Sequence, residues 1–358
     1  MPRALTIHQV EGKPGKVYYP LSLDDVPPPT PRPNELTVQM HACALNHRDL
    51  FIRQHLYPKT TFSVPLLADG MGIVSAPSSS PLLHKRVILT PGYGWDSDPA
   101  GPESEYAILG GTSTCPIGTA QDVVCVPSGE VEEVPEHLSN VEAASLPLTG
   151  LTGWRALVTK SGNAQPGRNI LVTGIGGGVA LMILLFGVAK GCKIWVTSGS
   201  EEKIAKAREM GAQGGVIYKE DGWEKKLLKM LPKERPLFDA IIDGAGGDII
   251  NKAAKICKVG GVVVQYGMTL SPKMDWSMNA VLKNIDLKGS TMGSRKEFKE
   301  MVQFVRETKI TPVVSRVVKG LDNINEIDEL FVSMKKGSQF GKLVVEIVPE
   351  RGSSPSKL

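Results

Sequence analysis

At 358 residues the chain is too long for one ordinary hydrophobic core, which predicts two domains. Its 41 Lys and Arg against 37 Asp and Glu leave a net charge of +4, spread along the sequence, which argues against nucleic acid or an anionic membrane as a partner. With 41% hydrophobic and 22% charged residues, the composition is that of a globular protein and not of a disordered or fibrous one.

The N-terminal "MPRALTIHQVEG" lacks the apolar run of a secretory signal, so none is expected. Residues 1 to about 135 read as β-rich and loop-rich. "ELTVQMHACAL" and "KRVILTP" are strand candidates, and "VPPPTPRPN" is a surface connection. Between the two strands, "ALNHRDLFIRQHLYP" (residues 44 to 58) crowds Asn46, His47, Asp49, His55 and Tyr57 into one short stretch. Those residue types could bind a metal, hold a cofactor, supply an acid, or form a polar turn with no chemistry.

From about residue 168 the pattern becomes a strict alternation of strand and helix. "RNILVTG" precedes "GGVALMILLFGVAKG", "CKIWVTS" precedes "EEKIAKAREMGA", and "GGVIYK" precedes "GWEKKLLKML". "FDAIIDGA" then precedes "DIINKAAKICKVG" and "GGVVVQYG". Short apolar strands joined by amphipathic helices predict a doubly wound parallel sheet. The apolar run "VALMILLFGVA" is too short to span a bilayer and reads as a buried helix. Two helices, "RKEFKEMVQFVRE" and "EIDELFVSMKKG", and a strand, "KLVVEIV", follow. Five scattered cysteines (Cys43, Cys115, Cys125, Cys192, Cys257) without a CxxC pair read as buried thiols of a reducing compartment. The sequence finishes Ser356-Lys357-Leu358, an address read by the peroxisomal import receptor. Peroxisomal localisation is therefore expected, or cytoplasmic if the signal is not read.

The strongest functional signal is the turn Gly174-Ile175-Gly176-Gly177-Gly178-Val179 between an apolar strand and a long helix. Glycine there lets the backbone turn sharply and approach a pyrophosphate, while the helix N-terminus offers amide donors. Gly176, Gly177, Gly178 and Val179 are the expected dinucleotide contacts. The following strand closes on Ser198-Gly199-Ser200-Glu201-Glu202-Lys203. NAD-binding sites commonly place an acid here for the ribose 2′-hydroxyl. Hydroxyls with a lysine one turn on suit a 2′-phosphate instead, so Ser198, Ser200 and Lys203 are expected to select NADP(H). Ser198 and Glu201 also form a capping-box pattern for the helix that follows.

"NHRDLFIRQHLYP", "LLADGMGIV", "HLSNVEAASLPLTGLTGWRAL", "ILVTGIGGGVA" and "GKLVVEIV" together resemble the medium-chain dehydrogenase/reductase superfamily in sequence and order. The dialect resembles the zinc-free branch: fungal zinc-type alcohol dehydrogenase-like proteins and quinone or enoyl reductases. The resemblance implies an α/β fold, a GroES-like β-rich catalytic domain plus a Rossmann doubly wound parallel sheet. The bounds expected are 1–140 for the catalytic domain, 141–285 for the NADP-binding domain, 286–350 for a return to the catalytic domain, and 351–358 for a tail. It also implies a nicotinamide in the cleft between the domains, with Asn46 beside it and Thr152 packed on its ring. Tyr218, Tyr266 and Lys342 are implied as further cofactor contacts. Zinc members carry ligands at the positions of Asn46, Ala68-Asp69 and Leu148, and none of the usual type remains, so no metal is expected.

Without a metal, relatives of this kind transfer an NADPH hydride to a conjugated C=C or to a quinone. Asn46, Asp49, Tyr57 and Pro58 fit the "N-x-x-D-(x)7-Y-P" pattern in which mitochondrial-type enoyl-thioester reductases place a tyrosine acid. Tyr57 and Asn46 are thus the catalytic candidates. One departure stands out: "Gly118-Thr119-Ala120-Gln121-Asp122-Val123-Val124" has lost the aromatic and the Glu usual in relatives. The expected activity is NADPH-dependent reduction of an enone or enoyl thioester. The alternatives are a quinone oxidoreductase or, in another class, a non-catalytic NADPH-binding sensor. A homodimer is expected through the edge strand at "IDLKGSTM".

Overall fold

A computed structural model describes residues 1–271 and 273–350. The carboxyl-terminal tripeptide expected to direct import lies outside the described residues. The chain forms two compact units, residues 1–148 with 294 onward, and residues 149–293.

Unit 1 is built on the ten-residue strand Glu35–Ala44, in which Leu36, Val38, Met40 and Ala42 alternate inward. It pairs antiparallel with Lys342–Glu346 on one side and with Asp69–Ala76 on the other. Its first half also pairs with Val123–Pro127. Register decides what meets at its end. Ala44 lies opposite both Val344 and Asp69, and the Leu45 N–H donates to the Leu343 carbonyl at 2.9 Å. The residue after that point, Asn46, therefore emerges beside Lys342 and Asp69.

Unit 2 holds six parallel strands. In chain order they are Asn169–Val172, Lys193–Ser198, Gly214–Ile217, Phe238–Asp243, Cys257–Gln265 and Asp286–Gly289. Their spatial order is third, second, first, fourth, fifth, sixth, so the winding reverses between the first and fourth. Both of those strands are buried along their whole length, as a sheet covered on two faces requires. The apolar run lies in the helix Gly178–Ala189, packed against the sheet, and Ala180 to Leu184 are all buried. Among the described residues no helix is long and apolar enough to cross a membrane.

The breaks between units fall at 148/149 and 293/294, later than the bounds expected from the sequence. The helix Asn140–Ala144 packs against Glu35–Ala44 and Asp69–Ala76 and so stays with unit 1. Asp286–Gly289 pairs with Cys257–Gln265 and so closes the sheet of unit 2, where a return to the first domain was expected. Cys257 and Lys258, read from the sequence as the end of a helix, begin the fifth strand; the helix stops at Ile256. All five cysteines are buried and unbridged.

Candidate functional site

In unit 2 the turn after the first strand has the features a pyrophosphate needs. Gly174 and Gly176 have φ of +65° and +120°, which a side chain strongly disfavours. Gly177 is different: its φ of −77° suits any residue, and a Cβ there would meet no protein atom. Neither backbone nor packing requires glycine at 177, which leaves room for the close approach of a ligand. Gly177 is also the N-cap of the helix Gly178–Ala189, which has no side-chain cap. Its first amides, from Gly178 and Val179, thus keep their donors for an anion.

The turn is held from below. Thr197 receives the N–H of Gly174 on its hydroxyl at 3.2 Å and that of Ile175 on its carbonyl at 2.8 Å. The buried Asp243 carboxylate accepts from the Thr173 hydroxyl at 2.5 Å, the Gly246 N–H at 2.6 Å and the Gln265 amide at 2.6 Å. One carboxylate thereby ties together the ends of the first, fourth and fifth strands. Asp243 carries no signal in the sequence, because its partners come from three separated segments.

At the end of the second strand Ser198 is buried, and its hydroxyl accepts from the Ser200 N–H at 3.2 Å. The helix N-cap is Ser200 and not Ser198, because Ser198 still pairs in the sheet with Ile217. The expected capping box is therefore absent. Lys203 folds back over the glycine turn: a Cβ on Gly176 would lie 2.9 Å from its Cδ and 3.3 Å from its Nζ. Burial holds its ammonium pKa below the usual lysine value. A Cβ on Gly199 would lie 3.3 Å from the Tyr218 hydroxyl and 3.6 Å from Lys219 Nζ. One ammonium and a phenol thus stand against the Ser198–Ser200 turn, and a second ammonium, that of Lys203, stands against the glycine turn. Lys219 was missed in the sequence, where it reads as one more surface lysine. Tyr266 lies elsewhere, its ring against Gly244, where burial raises its phenol pKa. Thr152 is buried on the helix Pro147–Trp154, its hydroxyl 3.8 Å from the Met292 sulfur.

In unit 1, three chain segments converge on the carboxylate of a fourth. Asp69 is fully buried and accepts from Leu148 N at 2.7 Å, Asn46 Nδ2 at 2.9 Å and Lys342 Nζ at 2.8 Å. Lys342 also donates to Asn46 Oδ1 at 2.7 Å and to the Leu45 carbonyl at 2.7 Å. An ammonium has three donors. All three are spent within unit 1, so Lys342, expected as a cofactor contact, has no hydrogen left to give one.

Asn46 caps the helix His47–Arg53, and its N–H donates to Asp49 at 2.7 Å. Asp49 is fully buried beside Arg48, and burial raises its carboxyl pKa to about 6. Arg48 donates to the carbonyls of Leu109 and Gly110 and lies 4.7 Å over the half-buried Tyr57 ring. Tyr57 is thereby joined to the Asn46 cluster through Arg48 and Asp49. The histidines stand apart from it. His47 is exposed and edge-on to Phe51, and His55 meets the Tyr19 hydroxyl at 2.7 Å.

The Gly118–Val124 departure has a local use. The Asp122 carboxylate accepts from the N–H and guanidinium of Arg3, Gln121 donates to the Gly118 carbonyl, and Thr119 donates to the Asp69 carbonyl. The backbone of Ala120 and Asp122 also bonds to the strand Arg3–Ile7.

Two family patterns match the chain: "Alcohol dehydrogenase GroES-like domain" over residues 32–136 and "Zinc-binding dehydrogenase" over 178–307. A zinc-type alcohol dehydrogenase-like protein of Leptosphaeria maculans, named YogA, is 56% identical over 97% of this chain and all of its own. The chain belongs to the medium-chain dehydrogenase/reductase superfamily. Its fold is the nicotinamide-dependent one of that superfamily, and it is an oxidoreductase of the alcohol dehydrogenase type. A solved NAD-dependent alcohol dehydrogenase superposes with TM-score 0.83 at 29% identity, covering 96% of this chain and 99% of its own. A crotonyl-CoA carboxylase/reductase, AntE, solved with NADP, shares the fold at TM-score 0.81 and 19% identity, covering 98% of this chain and 95% of its own.

Zinc, which the matching names imply, does not fit these residues. The three positions where superfamily members hold it carry an amide bonded on both ends, a carboxylate bonded on both oxygens, and a leucine that offers only its backbone N–H. An ammonium already sits against that carboxylate at 2.8 Å. Among the described residues no group of three or more His, Cys, Asp or Glu could hold a metal ion.

Proposed function

We propose that the protein is an NADPH-dependent, zinc-independent reductase of α,β-unsaturated carbonyl compounds, enones or enoyl thioesters. The observation that supports the cofactor choice is that Lys219 and Tyr218 lie against Gly199 and Lys203 lies against Gly176, beside the hydroxyl-bearing residues Ser198 and Ser200 that close the second strand. Such a pocket favours a 2′-phosphate over a bare ribose hydroxyl. The observation that supports the substrate class is the Asn46 amide, bonded to Asp69 and Lys342, at a position where zinc-dependent members of the superfamily carry a ligand. An alcohol needs strong activation to give up its proton, whereas a conjugated carbonyl needs only a donor at its oxygen.

When bound, NADPH supplies a hydride to the β-carbon of the substrate. Electron density then moves through the former double bond onto the carbonyl oxygen, where the Asn46 amide donates a hydrogen bond. The Tyr57 hydroxyl gives a proton to the α-carbon, which leaves a saturated carbonyl compound. NADPH consumption by the purified protein over enones, enoyl thioesters, quinones and simple alcohols tests this reading. Binding of NADPH without turnover on any of them would overturn it.

Two further proposals rest on sequence and topology. Asp286–Gly289 is the last strand of its sheet, and Leu287 on it is 41% exposed. A second copy of the chain pairing there would give a homodimer, checked by light scattering for twice the chain mass. Import into peroxisomes through Ser356-Lys357-Leu358 is checked by deleting those three residues from a fluorescent fusion and following its location.

A further inference from the structure

Asn46 has a fixed orientation. Lys342 can only donate, so the amide oxygen must face it, and the amide nitrogen must then face Asp69. The nitrogen carries two hydrogens, and one is taken by Asp69 at 2.9 Å. Among the described residues the second has no acceptor. A flipped amide would set NH2 against NH3⁺, so this hydrogen is held at one position by a buried charge pair.

That charge also acts on the amide itself. A hydrogen bond from an ammonium to an amide oxygen draws electron density from the nitrogen, and its N–H becomes a better donor. The ammonium is 5% exposed and the carboxylate fully buried, so water screens neither.

We propose that Lys342 is a positioning residue for the reduction, acting through Asn46. Its ammonium aims and polarises the free Asn46 N–H, which meets the substrate carbonyl oxygen as negative charge gathers there. The cluster thus does with one amide and one internal cation what a Lewis acid does in metal-dependent relatives. The inference rests on the reductase reading above for the identity of the oxygen that is met, while the coupling of Lys342 to Asn46 stands apart from it.

The test is a double-mutant cycle with a spectroscopic arm. Asn46→Ala is expected to lower kcat for an enone by roughly 10²-fold, as loss of one oxyanion donor does. Lys342→Gln keeps a donor but no charge and is expected to lower kcat by about 10-fold, with the dissociation constant for NADPH unchanged. Lys342→Arg restores most of that loss. In the Asn46→Ala background Lys342→Gln should add nothing.

Asparagine-selective ¹⁵N labelling reads the side-chain amide of Asn46 without any turnover. Its free proton is expected downfield in the wild type and shifted upfield in Lys342→Gln, while other asparagine signals stay in place. Additive rate losses, or an unmoved Asn46 signal, would overturn the proposal. A wild type that shows the amide shift but reduces no enone would overturn the reductase reading and leave the coupling intact. Should Lys342→Gln not fold, Asp69→Asn/Lys342→Gln removes both charges together and is read in the same way.

Discussion

Lys203→Ala separates the two nicotinamide cofactors most sharply. The lysine is half-buried over the glycine turn, and burial already lowers its pKa, so its ammonium is poorly compensated by water. A phosphate arriving within about 4 Å would gain roughly 4 kcal/mol per unit charge at an effective dielectric of about 20. Dehydration of both ions takes back a large part, and the net worth of a charge-assisted hydrogen bond is about 1.5–3 kcal/mol. Lys203→Ala should therefore weaken NADPH binding by roughly 10- to 150-fold and leave NADH within about 2-fold, since every 1.4 kcal/mol is tenfold. Titration of cofactor fluorescence against both variants reads the two constants directly. The loss should shrink as salt is raised from 0.05 to about 0.5 M, because part of the attraction is screened. Equal losses for NADPH and NADH would mean that Lys203 serves the turn's fold and not the 2′-phosphate.

Tyr57→Phe should slow enone reduction by about 10²-fold while leaving thermal stability within experimental scatter, because the half-buried ring and its contact with Arg48 are retained; an unchanged rate in a stopped-flow assay would remove Tyr57 from the mechanism. Asp49 gives a stability signature in pH. Its carboxyl pKa is raised from 3.8 to about 6 in the fold, so its contribution is fully present below pH 3.8 and is lost as pH rises through 6. The loss is on the order of 3 kcal/mol. Urea midpoints measured from pH 4 to 7 should show this decline in the wild type and not in Asp49→Asn; parallel curves would contradict it.

Most of the fold could be read from the sequence because its signals are local. The alternation of apolar strands and amphipathic helices after residue 168 spells out the parallel sheet, and four glycines in five positions mark the dinucleotide turn without reference to anything distant. The cluster around Asp69 could not be read in this way. Asn46, Asp69 and Lys342 stand 23, 273 and 296 residues apart in pairs, and only the register of three strands brings them together. The sequence therefore suggested that Lys342 faces the cofactor, when it faces an amide and a carboxylate. Lys219 was illegible for a similar reason: its closeness to Gly199 depends on the third strand lying beside the second. Asp286–Gly289 was assigned to the wrong unit because a short edge strand with exposed residues has almost no periodicity to show.

The activity proposed for this enzyme is the reduction of conjugated carbonyl compounds with NADPH and without a metal. The most direct measurement is steady-state reduction of an enone by protein dialysed against a chelator, with product analysis by mass and metal content by elemental analysis. NADPH oxidation is expected to be matched one-to-one by the saturated carbonyl product, at a rate unchanged by chelator or by added zinc, with no oxidation of simple alcohols. Activity that appears only with zinc, or alcohol oxidation with NAD as the preferred cofactor, would contradict it.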